Sequence, residues 1–205
     1  MQGTKTLAYE LWEDLGFRAP DHVVIPSGAG SNILGCDLGF GELQAAGEIR
    51  RLPRLWAAQP LLCSPIATAI LDALGEDDGQ LPACGGDANP ARTGPPPSEA
   101  WNVPQKTMAE GTSIARPVRL SECVEAVLRS EGGAVRVPEE QIAAATFEMA
   151  KLGLYTEPTC AQAAAAYRTL IQSGRIRPDE VTVIVLTATG VKATPSIAAL
   201  LGLPA

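Results

Sequence analysis

With 205 residues the chain has room for one domain with a sizeable core, and its 46% hydrophobic and 19% charged residues are ordinary for a globular protein. A formal net charge of -7 without any dense basic run argues against nucleic acid and anionic membrane surfaces as partners. No apolar stretch is long enough to cross a bilayer as a helix and no signal peptide is visible, while five scattered cysteines (Cys36, Cys63, Cys84, Cys123, Cys160) without Cys-x-x-Cys pairing read as reduced thiols of a cytoplasmic protein, with no metal site.

Leu7, Ala8, Leu11, Trp12 and Leu15 form a helical stripe, with Thr4 as N-cap and Gly16 as stop. Pro20 and Asp21 make a turn into a short strand at 22–26. His22 is the single histidine and stands before that strand without a partner motif, a poor candidate for a catalytic base. After the strand comes Ser27-Gly28-Ala29-Gly30-Ser31-Asn32, a glycine-rich turn into a helix over about 31–46. Glycines there let the backbone turn tightly and expose its amides, and the positive end of the helix dipole stands behind them. Such a turn suits a phosphate group, although strand-to-helix turns also carry glycine for geometry alone. Ile33 occupies the third glycine position of a Rossmann fingerprint, and the next strand, 54–59, ends in Gln59 where that fold wants an acidic residue. No lysine near the loop makes a Walker motif, so dinucleotides and nucleoside triphosphates are disfavoured.

Beyond the second strand, a helix is expected from Pro65 to Leu74. From about 75 to 105 the chain is polar and rich in glycine and proline, and reads as a loop or disordered insertion within one domain. A helix at 119–130 and a strand at 134–137 follow, then a helix opened by Pro138-Glu139-Glu140 and an alanine-rich one opened by Glu157-Pro158-Thr159. The run 181–187 is almost continuously apolar, as in a strand buried on both faces of a parallel sheet, and a last helix is expected near 195–201. The alternation predicts an α/β fold, a doubly wound, mostly parallel sheet with helices on both faces. Ligands of such sheets sit beyond the carboxyl ends of strands, which brings the 27–32 and 187–190 loops to one edge.

Several stretches, in order, resemble the later portion of threonine synthase and its relatives, the tryptophan-synthase-β-like pyridoxal-phosphate enzymes. Residues 3–10 are similar to the segment opening the helix before the family's phosphate loop, Gly28-Ala29-Gly30-Ser31-Asn32 to that loop, and 53–59 to its second strand. Residues 109–117 resemble a segment after the family's variable insertion. Glu157-Pro158-Thr159-Cys160-Ala161 resembles Glu-Pro-x-Ser-Ala, with Cys160 in place of serine, and 185–192 resembles the terminal Leu-Thr-Gly-x-Gly-Leu-Lys.

The resemblance implies a carboxyl-terminal part of the family's large domain, spanning 1–205 and incomplete relative to the full fold. It implies pyridoxal 5'-phosphate as cofactor, its phosphate on the amides of Gly28, Ala29, Gly30 and Ser31 with Asn32, and its pyridine nitrogen against the Thr187 hydroxyl. The family's Schiff-base lysine belongs to the portion before this chain, and none of Lys5, Lys106, Lys151 and Lys192 has its surroundings. No catalytic residue is therefore assigned. The activity implied is a lyase reaction, O-phosphohomoserine and water to threonine and phosphate, with an amino-acid substrate and a missing amino-terminal segment or partner chain. Homo-oligomerisation is implied for the complete protein, and one sheet edge should lack a partner and expose apolar surface. The alternatives are a degenerate half that binds cofactor or phosphate without catalysis, a related β-elimination or replacement enzyme, and a nucleotide-dependent oxidoreductase, the last weakened by Ile33 and Gln59.

Overall fold

A computed structural model describes residues 2–76 and 106–203. Four parallel strands, β1 (His22–Pro26), β2 (Arg54–Pro60), β3 (Gly133–Val137) and β4 (Thr182–Ile184), form one sheet in the order β3-β2-β1-β4. Strand pleating sends alternate residues to opposite faces. Val23, Ile25, Leu55 and Ala57 join one apolar cluster with Ile33 and Phe40 of α2 (Ser31–Ala45), Ile66 and Ile70 of α3 (Pro65–Leu74) and Val127 of α4 (Leu120–Arg129). Val24, Trp56, Ala58, Val135 and Val137 join a second with Ile142 of α5 (Glu139–Lys151) and Ala161, Ala166 and Leu170 of α6 (Pro158–Gln172). Both faces are covered, so the fold is the doubly wound α/β sheet expected from the strand–helix alternation.

Helix α1 (Thr6–Asp14) packs on α2 through small residues: a Cβ at Gly35 would stand 2.6 Å from the Thr4 carbonyl oxygen. Thr4 is not its N-cap. That position falls to Lys5 without a side-chain bond, and the Thr4 hydroxyl instead donates to the Ser31 carbonyl (3.2 Å), tying the chain start to the head of α2. The short final helix, α7, spans Thr194–Leu200. Most of the run expected to be a loop or insertion lies outside the described residues.

The strand read from 181–187 also differs from expectation. Only Thr182–Ile184 forms a ladder, all three half-buried, because among the described residues β4 pairs with β1 alone and stands at the sheet edge. Val181 and Leu186 beside it are 44% and 38% exposed. Among the described residues this apolar stretch is paired on one side only.

His22 is fully buried at the start of β1. Its Nδ1 accepts the Trp56 indole N–H (3.0 Å), which leaves Nε2, 3.1 Å from a Glu180 carboxylate oxygen, to carry the proton. This is a structural brace at the amino ends of the strands, far along β1 from the glycine loop.

Candidate functional site

Strand β1 ends by feeding the loop. The Ser27 amide donates to the Ala58 carbonyl (2.9 Å) and the Ser27 hydroxyl to the Ile25 carbonyl (2.9 Å), so the turn begins from a fixed point. Gln59 holds it from below. Its side-chain NH2 donates to the Ser27 carbonyl (2.8 Å) and its carbonyl oxygen accepts the Ala67 amide (2.9 Å), all fully buried. The residue that breaks the dinucleotide fingerprint is thus a strut between the loop and the first turn of α3.

Gly30 is the N-cap of α2, with φ +83° and no side-chain cap. The Leu34 amide closes the first helical turn onto the Gly30 carbonyl (3.1 Å), leaving the amides ahead of it unpaired within the helix and turned toward the loop. A Cβ at Gly30 would lie 2.1 Å from the Cys123 sulfur. Burial pushes the Cys123 thiol up to about 11, so it stays neutral beneath the loop and sets no negative charge under an anion.

The facing wall comes from a 3-10 turn, Glu110–Thr112, and from α6. The Thr112 hydroxyl donates to the Ala109 carbonyl and accepts the Gln162 amide (both 3.0 Å), while the Gly111 amide donates to the Thr159 hydroxyl oxygen (3.1 Å). A Cβ at Gly28 would already be 3.1 Å from the Gly111 carbonyl, so loop and wall approach closely.

Together these parts enclose a cleft of about 270 Å3, bordered by the whole run from Gly28 to Asn32, by Gly111, Thr112, Ile114 and Thr159, and by Thr187. All six residues marked in the sequence therefore reach one cleft. It lies at the carboxyl ends of β1 and β4, where the strand order reverses direction, the switch point at which doubly wound sheets bind ligands. Thr112 and Thr159 were not marked; both fall within stretches whose resemblance was noted, but their facing the cleft depends on contacts 48 and 50 residues apart in sequence. Among the described residues no lysine borders the cleft. Glu157 is the N-cap of α6 without a side-chain bond.

A roomier groove of about 400 Å3 lies at the other sheet edge, at the amino ends of the strands, lined by Arg50, Arg51, Arg54 and Arg129 together with Asp21, Glu131 and Glu180. Arg51 pairs with Asp21 and Arg129 with Asp37, so half of its arginines are already neutralised. Arg129 there also complements the carboxyl end of α4.

The profile of the family described as pyridoxal-phosphate dependent enzyme matches residues 1–188. The chain belongs to that family. Among curated relatives, threonine synthase of Methanosarcina acetivorans is 30% identical over 188 residues, 91% of this chain and 41% of the relative. Threonine synthase 2, chloroplastic, of Arabidopsis thaliana is 29% identical over 196 residues, 96% of this chain and 34% of the relative. The chain thus spans between about a third and two-fifths of the length of these relatives. In fold it is similar to an L-serine ammonia-lyase from Rhizomucor miehei, with a TM-score of 0.65 at 20% identity over 98% of this chain and 55% of that one. Threonine synthase from Escherichia coli gives a TM-score of 0.55 at 21% identity, over 90% and 36%. The family depends on pyridoxal phosphate, and no helix among the described residues is long and apolar enough to cross a membrane.

Proposed function

We propose that residues 1–205 are the carboxyl-terminal part of the large domain of a threonine-synthase-like lyase acting on O-phosphohomoserine and water to give threonine and phosphate. Gly28, Ala29, Gly30 and Ser31 hold the cofactor phosphate through their amides, with Asn32 beside them, and Thr187 meets the pyridine nitrogen. The observation that carries the reading is that Gly30 and Thr187 border one cleft. The donor set fits the group: amides at a helix start for a dianion, a glycine, Gly28, whose Cβ would crowd the 111–114 wall of the cleft, a neutral thiol below the loop, and the Thr187 hydroxyl across the cleft. The curated relatives named threonine synthase favour this substrate, while neighbours in fold named for serine and threonine deamination keep related eliminations as the second reading.

Bound pyridoxal phosphate supplies an electron sink for an amino-acid carbanion. Thr187 sets its strength. A hydroxyl does not hold the ring nitrogen protonated as a carboxylate does, so the sink is milder and elimination or replacement is favoured over transamination. The loop amides anchor and orient, and Thr112 and Ile114 wall the cleft. The amine that engages the aldehyde is assigned to another segment, in keeping with a cleft that no lysine borders among the described residues. Cys36, Cys123 and Cys160 are buried thiols, and they favour a reducing cytoplasm as the setting. The half-exposed β4 edge is the surface through which the remaining part of the enzyme or another subunit associates.

Pyridoxal phosphate added to the isolated chain is expected to bind weakly, with no borohydride-trapped adduct on a unique lysine. Co-expression with the amino-terminal part of a related threonine synthase is expected to release phosphate from O-phosphohomoserine. A stoichiometric adduct on one lysine refutes the assignment of the amine to another segment. Cofactor binding to the co-expressed pair without turnover favours the degenerate half.

A further inference from the structure

The Thr187 hydroxyl has to be aimed, and the sheet does not aim it. The last sheet bond on this stretch runs from the Val185 amide to the Val24 carbonyl (3.0 Å), and the next backbone anchors are the Thr156–Thr189 bridge and the Gly190 amide on the Tyr155 carbonyl (2.9 Å). Thr187 and Ala188 lie between these anchors. Their contacts there converge on one atom, the Cys160 sulfur in the first turn of α6. The Ala188 amide donates to it (3.0 Å), the Ala188 carbonyl lies 3.2 Å away and the Thr187 hydroxyl oxygen 3.3 Å away. Cys160 is fully buried, whereas Thr187 is exposed on the cleft.

We infer that Cys160 is a positioning residue, whose thiol fixes the 187–188 turn against α6 and thereby directs the Thr187 hydroxyl into the cleft. The inference rests on the cofactor reading given above. A thiol carries one proton and is a weak donor and acceptor. If that proton goes to the Ala188 carbonyl, the turn is clamped from both its amide and its carbonyl, and the Thr187 hydroxyl is held by proximity without being consumed. It keeps a lone pair and its own proton for a ring nitrogen. Serine is the smallest change that preserves this set of bonds; alanine removes all of them.

The test uses the full chain and two probes: deoxypyridoxine phosphate, which has a methyl group in place of the aldehyde and binds without a lysine, and inorganic phosphate, which needs the cradle alone. Losing one hydrogen bond to the ring nitrogen corresponds to about a fivefold to tenfold weaker affinity. Cys160→Ala is expected to weaken deoxypyridoxine phosphate by that factor, to shift the pH at which the bound ring's absorption changes, and to leave inorganic phosphate affinity unchanged. Cys160→Ser is expected to restore most of the loss. Thr187→Val should resemble Cys160→Ala, and the double variant should lose no more than either, because the thiol acts through the hydroxyl. Additive losses, equal losses for both probes, or a Cys160→Ala variant that binds like the wild type each overturn the inference while the cofactor reading stands. A wild-type chain that binds neither probe overturns both.

Discussion

Gly30→Ala is expected to lower the stability of the chain by about 3 kcal/mol and to remove measurable phosphate binding. Two independent costs add. Holding a residue with a Cβ in the left-handed region costs about 1–2 kcal/mol, and φ at Gly30 is +83°. Forcing an atom into a filled space costs about 1–3 kcal/mol more, and the new Cβ would stand 2.1 Å from the Cys123 sulfur. Relief of that contact must either turn the buried Cys123 thiol within its packed surroundings on α4 or displace the amides at the head of α2. The second course opens the anion cradle. Adding Cys123→Ala separates the terms: the overlap disappears, since the Cys123 Cβ is an acceptable 3.6 Å away, and only the backbone cost remains. The double variant should recover about half the lost stability in urea unfolding. A Gly30→Ala chain as stable as the wild type shows that the loop is not held as described.

Gln59→Leu is expected to cost about 3 kcal/mol, although leucine is close to glutamine in size. The change strands two buried backbone groups, the Ser27 carbonyl and the Ala67 amide. Each unpaired buried group costs about 1–3 kcal/mol, and the gain from a more apolar side chain offsets only part. Phosphate affinity should fall with stability, because Ser27 begins the loop. Gln59→Glu sharpens the argument. Its carboxylate can still accept the Ala67 amide but faces the Ser27 carbonyl without a proton to offer. When protonated it can donate there, so its folded-state pKa lies above the unfolded value and stability falls as pH rises through that range. The wild type should show no such slope at this site. A Gln59→Glu chain with the same pH profile as the wild type would falsify the strut.

Much of the architecture was legible because proline and glycine punctuate it. Pro65 and Pro158 stand in the first turns of α3 and α6, and Gly30 and Gly75 flank helices in left-handed geometry. Alternation of strand and helix patterns then forces a parallel sheet, and the sheet rule brings Gly30 and Thr187 to one edge without any knowledge of contacts. What escaped is everything decided by tertiary partners. Thr4 has the chemistry of an N-cap, but its hydroxyl is taken by Ser31, 27 residues away. The 181–187 run has the composition of a central strand, and its position at the edge depends on which strands lie beside it. Gln59 reads in isolation as a missing acidic residue, and only the fold reveals the two bonds it makes. Thr112 and Thr159 are ordinary polar residues until the 3-10 turn and α6 bring them to the cleft.

The most direct measurement is an amide chemical-shift titration of the 15N-labelled chain with pyridoxal phosphate. The account expects the shifts to concentrate at Gly28, Ala29, Gly30, Ser31, Asn32 and Thr187, with Gly111 and Thr112 following. Shifts confined to the arginine-lined groove around Arg50 and Arg54, with the glycine loop and Thr187 unmoved, would contradict it.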